Sequence, residues 1–369
     1  MVRTAQHRAA CEGGSPSRQP ARCRRYGRVT DHRHDTLTVL AMNSPIVGAL
    51  QKPEADVGKT VEVLLRRLID YAGLFPPAGL GMLPAVTNYD SYLRSEHSWM
   101  LGRFIVPAAR LNEFDEALGR LPVTDSKPYE PTHRKVRDEW GTLGLSSLLG
   151  AEPDADIARI AEFNARESKP GTSRAAFVAS VEVKAESPAE VVRMAGIIPR
   201  ELTAFFEIPP AGRERECIAA IAECGRCAKI RTGGETGDRF PDAARVIEFV
   251  RLCADAKVPF KATAGLHHPI RSWHRLTYQP DSPSGMMHGF LNVFLAAAFV
   301  RAGMETGAAA ELLEERSATA IRFTADDVTW HEHCLSRQDV AAARRDFSVS
   351  FGSCSFTEPV DDLRSLGLL

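Results

Sequence analysis

Two lysines set inside apolar runs carry the clearest chemical signal in this sequence: Lys229 in Cys227-Ala228-Lys229-Ile230, and Lys261 in Val258-Pro259-Phe260-Lys261-Ala262. Desolvation and a neighbouring cation both depress the pKa of a lysine. The neutral amine that results can attack a carbonyl and form a Schiff base. Glu182 and Glu207 fall in the two preceding apolar runs, where a carboxylate could carry the proton transfers such chemistry needs. Asp70, Lys184 and Arg231 are further charged residues at the ends of such runs. The same residue types also fit a purely structural network of buried Lys–Glu ion pairs.

These residues need a scaffold that brings separate runs to one place, and the chain predicts one. From about Thr60 onward, short apolar runs alternate with segments of helical period. The runs are the Tyr71 segment, 103–107, 143–149, 177–184, 203–208, 227–231, 259–263 and 348–351. Helix signals follow most of them. Ser187-Pro188-Ala189-Glu190, for example, has a Ser cap, Pro at the first position and Glu in the first turn. Strict strand–helix alternation implies a parallel sheet. Eight units over roughly 300 residues fit an α/β fold, a (β/α)8 TIM-type barrel with an enlarged connection between its seventh and eighth strands. An open doubly wound sheet is the second reading, but 73–81 does not match the Gly-rich phosphate loop that such a sheet usually carries. In a barrel all strand–helix loops open on one face, so the charged residues at the strand ends should converge there.

Three segments carry a resemblance. Ala228-Lys229-Ile230-Arg231-Thr232-Gly233-Gly234 looks like the K-T-S-T-G strand of the deoxyribose-phosphate aldolase family. Phe260-Lys261-Ala262-Thr263-Ala264-Gly265-Leu266 resembles that family's next strand, F-K-x-x-G-G-[IV], and Ser350-Phe351-Gly352-Ser353-Cys354-Ser355 resembles its last, R-F-G-[AT]-S-S. They occur in the family's order, and the 32 positions from Lys229 to Lys261 span one strand–helix unit. The match covers the last three strands of the class I aldolase barrel superfamily. It implies that Lys229 is the Schiff-base lysine and Lys261 the second lysine that keeps it neutral. It further implies that Gly265 and the turn Gly352, Ser353, Cys354, Ser355 hold a substrate phosphate. By strand order Glu182 falls near the family's acidic proton-relay residue. A Gly/Ser turn leading into a helix is also an anion site on physical grounds.

The departures from that pattern bear on the substrate. Ile230-Arg231 replaces Thr-Ser and sets a guanidinium near the proposed nucleophile, suited to a carboxylate or phosphate. Ala264 replaces the first glycine of the pair, and Cys354 replaces a serine. About 80 residues separate Leu266 from Ser348, far more than the family's connection. Deoxyribose 5-phosphate is therefore not assigned as the substrate.

The 267–347 insertion begins with His267-His268 and holds four His and two Arg within about 25 residues, which suggests a lid or substrate-recognition region. One of His267 or His268, with Glu182 and Glu207, is the donor set for a metal-dependent alternative. Within the insertion, 291–300 reads as a buried helix, with packing in a homo-oligomer the second reading. Cys224-Gly225-Arg226-Cys227 falls at the start of a strand, on the far face of a barrel, and has no partner C-x-x-C. Trp330-His331-Glu332-His333-Cys334 lacks metalloprotease spacing and reads as a solvated turn. Glu314-Glu315-Arg316 and Arg344-Arg345-Asp346 read as helix-face charges.

Composition sets the outer bounds. The 369 residues are 44% hydrophobic and 25% charged, enough for a sizeable core. Lys+Arg number 46 against 47 Asp+Glu, a net charge of −1 that argues against a nucleic-acid partner. No apolar run reaches the ~18 residues of a membrane helix, which argues against a membrane partner as well. Eight cysteines without dense spacing fit a reduced, cytoplasmic compartment. Residues 1–44 read as a disordered basic tail, or as sequence upstream of a true start at Met42, leaving 45–369 as a single barrel. The expected activity is a Schiff-base lyase acting on a small oxygenated carbonyl compound, phosphorylated or carboxylated, with no cofactor. A metal-dependent hydrolase, isomerase or lyase and a non-catalytic anion-binding barrel are the alternatives.

Overall fold

The computed structural model describes residues 59–122, 143–166, 176–209 and 212–369, together with the backbone of Arg24–Arg25. Eight parallel strands close into a barrel. They are β1 (Ile69–Tyr71), β2 (Leu101–Pro107), β3 (Leu143–Leu148), β4 (Ala176–Lys184), β5 (Thr203–Glu207), β6 (Cys227–Arg231), β7 (Phe260–Thr263) and β8 (Ser348–Ser353). Each pairs with its sequence neighbour, and β8 pairs with β1 to close the ring. Each run expected to be a strand is one, so the (β/α)8 expectation holds.

Side chains alternate between the two faces of each strand. Phe206, Ala228, Ile230, Phe260 and Ala262 belong to the core between strands and helices. The ring of Phe260, for instance, meets that of Phe249 edge-on, with centroids 5.6 Å apart. The residues between them in sequence face the other way. The register sets Glu207 opposite Lys229 and Lys229 opposite Lys261, so three charged side chains share one level on β5, β6 and β7.

Helices link the strands as the sequence implies. Ser187 caps the helix Pro188–Ile197 by accepting from the Glu190 amide at 3.3 Å, while the Glu190 carboxylate accepts from the Glu186 amide at 2.6 Å. Among the described residues no helix is long and apolar enough to cross a membrane. The tail expected over 1–44 otherwise lies outside the described residues. Arg24–Arg25 pairs in parallel with His333 and Cys334.

The long β7–β8 connection is built of an antiparallel hairpin, helices and a second small sheet. Its outer part is an antiparallel hairpin, Ser272–Arg275 with Ser284–Met287. The helix Phe290–Arg301 that follows is buried on all sides, as expected for 291–300. Its one buried polar residue, Asn292, is fully used. It donates to the carbonyls of Leu312 and Glu315, both at 2.9 Å, and accepts from the Arg271 amide at 3.0 Å. The rings of Phe290 and Phe294 pack against Phe351 of β8.

Two expectations in this connection are corrected. Only His331 and Glu332 form an exposed turn: Trp330 and His333 are buried partners in a hairpin and stack at 5.6 Å. Arg344 is a half-buried brace rather than a helix-face charge. Its guanidinium donates to the carbonyls of Leu64 (2.8 Å), Arg66 (3.2 Å), Ser348 and Val349, tying the start of β8 to the approach to β1. The pattern of the surrounding helix is polar, which hides such a residue from a sequence reading. Cys224-Gly225-Arg226-Cys227 sits before and at the start of β6. Arg226 there is buried and donates to the carbonyls of Pro199, Leu202 and Ala195, a structural role for the motif.

Candidate active site

Six charged residues from five strands converge into a single chain of ion pairs. Lys229 Nζ stands 2.7 Å from Glu182 Oε2 and 2.7 Å from Glu207 Oε2. Lys261 Nζ stands 2.7 Å from Glu182 Oε1 and 2.7 Å from Asp70 Oδ2. Arg231 Nε reaches Glu207 Oε1 at 3.3 Å. Carboxylates and cations thus alternate in the order Asp70, Lys261, Glu182, Lys229, Glu207, Arg231.

Neutral partners fix the chain in place. The Ser146 hydroxyl donates to Glu182 Oε1 at 2.9 Å and that of Ser350 to Asp70 Oδ2 at 2.8 Å. The Arg103 amide donates to Asp70 Oδ1 at 2.8 Å. That carboxylate lies so close to β2 that a Cβ at Gly102 would stand 2.3 Å from Asp70 Oδ1. Lys261 Nζ also lies over the face of Phe205, 5.4 Å from the ring centroid.

Exposure rises along the chain. The side chain of Lys261 is 1% exposed, Lys229 5%, Glu207 11% and Arg231 44%. Lys261 is therefore the interior cation, and Lys229 is the lysine nearer solvent. Burial alone would raise the carboxyl pKa of Glu182, but the ammonium groups of Lys229 and Lys261 outweigh it and hold that carboxyl far below its ordinary range. Glu207 is also lowered: burial opposes, and Lys229 and Arg231 prevail. Burial pulls the Lys261 ammonium down, yet Asp70 and Glu182 more than restore it, so its pKa is raised.

At Lys261, then, ion pairing outweighs the desolvation by which an apolar run would depress a lysine. Apolar neighbours in sequence lie on the opposite face of the strand, so the ammonium of Lys261 meets carboxylates rather than hydrocarbon. Asp70, Ser146 and Ser350 are network members to which the sequence pattern assigns no role in the site. Asp70 was legible only as a charged residue in a short β1. Lys184, at the end of β4, is exposed and makes no contact with this chain of ion pairs among the described residues.

The remaining predicted residues form other arrangements. Gly265 follows β7 with φ +72°, and its Cβ position would lie 2.9 Å from the Gly233 Cα, so backbone packing accounts for this glycine. Gly352 pairs with Asp70 in register. Ser353 and Ser355 spend their hydroxyls locally: Ser353 Oγ accepts from the Ser355 amide at 3.3 Å, and Ser355 Oγ accepts from the Glu358 amide at 3.2 Å. Glu358 brings its own carboxylate to the first turn of the helix Thr357–Ser365, where a phosphate was expected.

His267 and His268 face that helix. His267 Nδ1 is 3.0 Å from Glu358 Oε2, and His268 Nδ1 is 2.6 Å from Asp362 Oδ2. They are engaged by these carboxylates rather than by Glu182 or Glu207, the donors of the metal alternative. Among the described residues no three His, Cys, Asp or Glu side chains are placed to hold a metal ion. Neither a scan against protein-family models nor a search of curated proteins finds a match to this chain.

Proposed function

We propose that this barrel is a Schiff-base lyase of the aldolase type, with Lys229 as the nucleophile. The observation that carries the reading is the setting of Lys229: the more open of two lysines, 2.7 Å from each of two carboxylates, beside a second ammonium that its own partners keep charged. The likeness of the last three strands to the deoxyribose-phosphate aldolase family supports the same assignment.

The chemistry follows from the charge balance. Lys229 passes a proton to Glu207, whose carboxyl is held low mainly by that same ammonium once burial is overcome. The transfer cancels both charges within the pair and so weakens its own opposition in a low-dielectric site. The neutral amine adds to the substrate carbonyl, and Glu207 returns its proton to the carbinolamine hydroxyl, which departs as water and leaves an iminium beside a carboxylate. This cation stands where the ammonium stood, so Glu182 and Glu207 stabilise it with little reorganisation. A carboxylate then removes the proton of the substrate's β-hydroxyl, and the C–C bond breaks with its electron pair delivered to the iminium. The resulting enamine takes a proton and is hydrolysed, which frees Lys229. Lys261, pinned between Asp70 and Glu182, keeps Glu182 ionised throughout. Arg231, half exposed at the end of β6, suits a carboxylate or phosphate on the substrate.

A second reading, a non-catalytic barrel that binds an anion through Arg231, draws support from the fact that each ammonium already has two carboxylate partners. Borohydride trapping separates the two. The protein is incubated with small aldehydes, ketones, 2-oxo acids and sugar phosphates, then reduced, and adducts are mapped by peptide mass. The expected result is an adduct at Lys229 that Lys229→Arg abolishes. An adduct at Lys261 alone reverses the roles of the lysines. No adduct at either, with anion affinity unchanged in Lys229→Ala, overturns the lyase reading.

A further inference from the structure

A second cluster lies beyond the ends of β7 and β8, outside the chain of ion pairs. Cys354 Sγ is 4.0 Å from His267 Nε2, and the other ring nitrogen, Nδ1, is 3.0 Å from Glu358 Oε2. The Tyr278 hydroxyl, from the turn of the 272–287 hairpin, donates to Glu358 Oε2 at 2.9 Å and lies 3.6 Å from Cys354 Sγ. Cys354 and His267 are nearly buried, while Tyr278 is half exposed over them. A shallow solvent-open cleft runs alongside, lined in part by Pro77, His267, Arg275, Tyr278 and Glu358.

From this geometry we infer that Cys354, His267 and Glu358 form an activated-thiol site that reacts covalently with soft carbon electrophiles. A nucleophile, a base within reach of it and a third group that orients the base are the three parts such a site requires. Glu358 holds the His267 ring through Nδ1 and so turns Nε2 toward the sulfur. The groups facing Cys354 are His267 after β7, Tyr278 from the hairpin, Tyr71 from β1 and Tyr92 from the helix Met82–Leu93. Those facing His267 are Glu358, Cys354 and the rings of His268 and His274. Burial pulls the His267 imidazole down, but Cys354 and Glu358 override it and push its pKa up to about 10, as a thiolate–imidazolium pair requires.

The other thiols provide the contrast. Cys227 is pushed up to about 12 by burial, and burial also raises Cys253 well above the ordinary thiol value, so both stay protonated. In the reaction the Cys354 proton resides on Nε2, the sulfur lone pair forms an S–C bond, and the leaving group departs with its bonding pair. This inference stands whether or not Lys229 forms an imine, because none of its residues belongs to the ion-pair chain.

The test is alkylation by iodoacetamide across pH 5.5–9, with each cysteine resolved by peptide mass and iodide as the leaving group. An ordinary thiol with a pKa of about 8.5 is well under 1% ionised at pH 6. Cys354 should therefore alkylate at least about tenfold faster than the partly exposed Cys224 at that pH, since its thiolate fraction outweighs its weaker intrinsic nucleophilicity. His267→Gln should abolish the advantage and move the pH midpoint of Cys354 up to that of Cys224. Glu358→Gln, which keeps the shape of the site, should produce part of the same shift. Three results would overturn the inference: a Cys354 midpoint equal to that of Cys224 in the unaltered protein, a midpoint unmoved in both variants, or a Cys354 that labels only in urea.

Discussion

Lys229 and Lys261 are register partners on neighbouring strands, yet one carboxylate separates their charges. Glu182 spends Oε2 on the first and Oε1 on the second, at 2.7 Å each. Two buried ammonium groups at adjacent positions would otherwise repel strongly. The shared carboxylate turns that juxtaposition into cohesion, and it lets the outer lysine change protonation while the inner one keeps its charge.

Glu182→Gln should accordingly be the costliest single change in the site. It removes one carboxylate from each of two buried cations, and breaking a buried pair leaves an uncompensated charge that typically costs about 3–5 kcal/mol. Urea unfolding should show a midpoint lowered by that loss divided by the slope, with the slope itself unchanged. A loss below ~1 kcal/mol would mean that Glu207 and Asp70 suffice to hold both lysines.

The pH dependence has two limbs with known signs. Glu182 and Glu207 titrate lower in the fold than in the unfolded chain. Their contribution is therefore complete above the unfolded value of about 4.3 and is lost as pH falls through the folded values. Lys261 titrates higher in the fold, so its contribution is complete below about 10.4 and is lost as pH rises beyond it. Stability should be flat between about pH 5 and 9 as far as these groups are concerned. Glu207→Gln should flatten the acid limb, and Lys261→Met the alkaline one, in unfolding curves taken across pH.

The barrel was legible because strand–helix alternation is a local signal repeated eight times. The convergence of Glu182, Glu207, Lys229, Lys261 and Arg231 followed from it, since register alone sets Glu207, Lys229 and Lys261 at one level. The protonation of Lys261 was not legible. It depends on Asp70, 191 positions earlier in the chain, reaching across the closure between β8 and β1. The hairpin and the bracing role of Arg344 escaped for the related reason that their partners are backbone carbonyls and distant turns, which leave no periodic mark.

The loop after β7 offers a test of how sequence and backbone agree. Ala264 has φ +65° and Gly265 φ +72°, both left-handed, but only the second is a glycine. A left-handed alanine costs roughly 1–2 kcal/mol, and glycine gives back about 0.4–1 of that through the unfolded chain. Ala264→Gly should therefore raise stability by up to about 1 kcal/mol. Gly265→Ala should do the opposite and more severely, because its Cβ would press on the Gly233 backbone and on Phe240 as well. Thermal melts of the two variants should move in opposite directions.

Arg231 is where binding can be separated from architecture. Its side chain is 44% exposed and its contact with Glu207 is 3.3 Å, so as an ion pair it contributes at most about 1 kcal/mol. Arg231→Ala should leave the unfolding midpoint nearly unchanged. If the guanidinium receives an anionic group of the substrate, the same change should weaken carboxylated or phosphorylated carbonyl compounds at least about tenfold, the loss expected for a charge-assisted hydrogen bond of 1.5–3 kcal/mol. Neutral aldehydes should trap at Lys229 as before. Arg231→Lys would retain the charge but not the paired geometry, and should recover only part of the loss. Equal weakening for charged and neutral compounds would instead assign Arg231 to the support of Glu207, with the anion bound elsewhere on the barrel's open face.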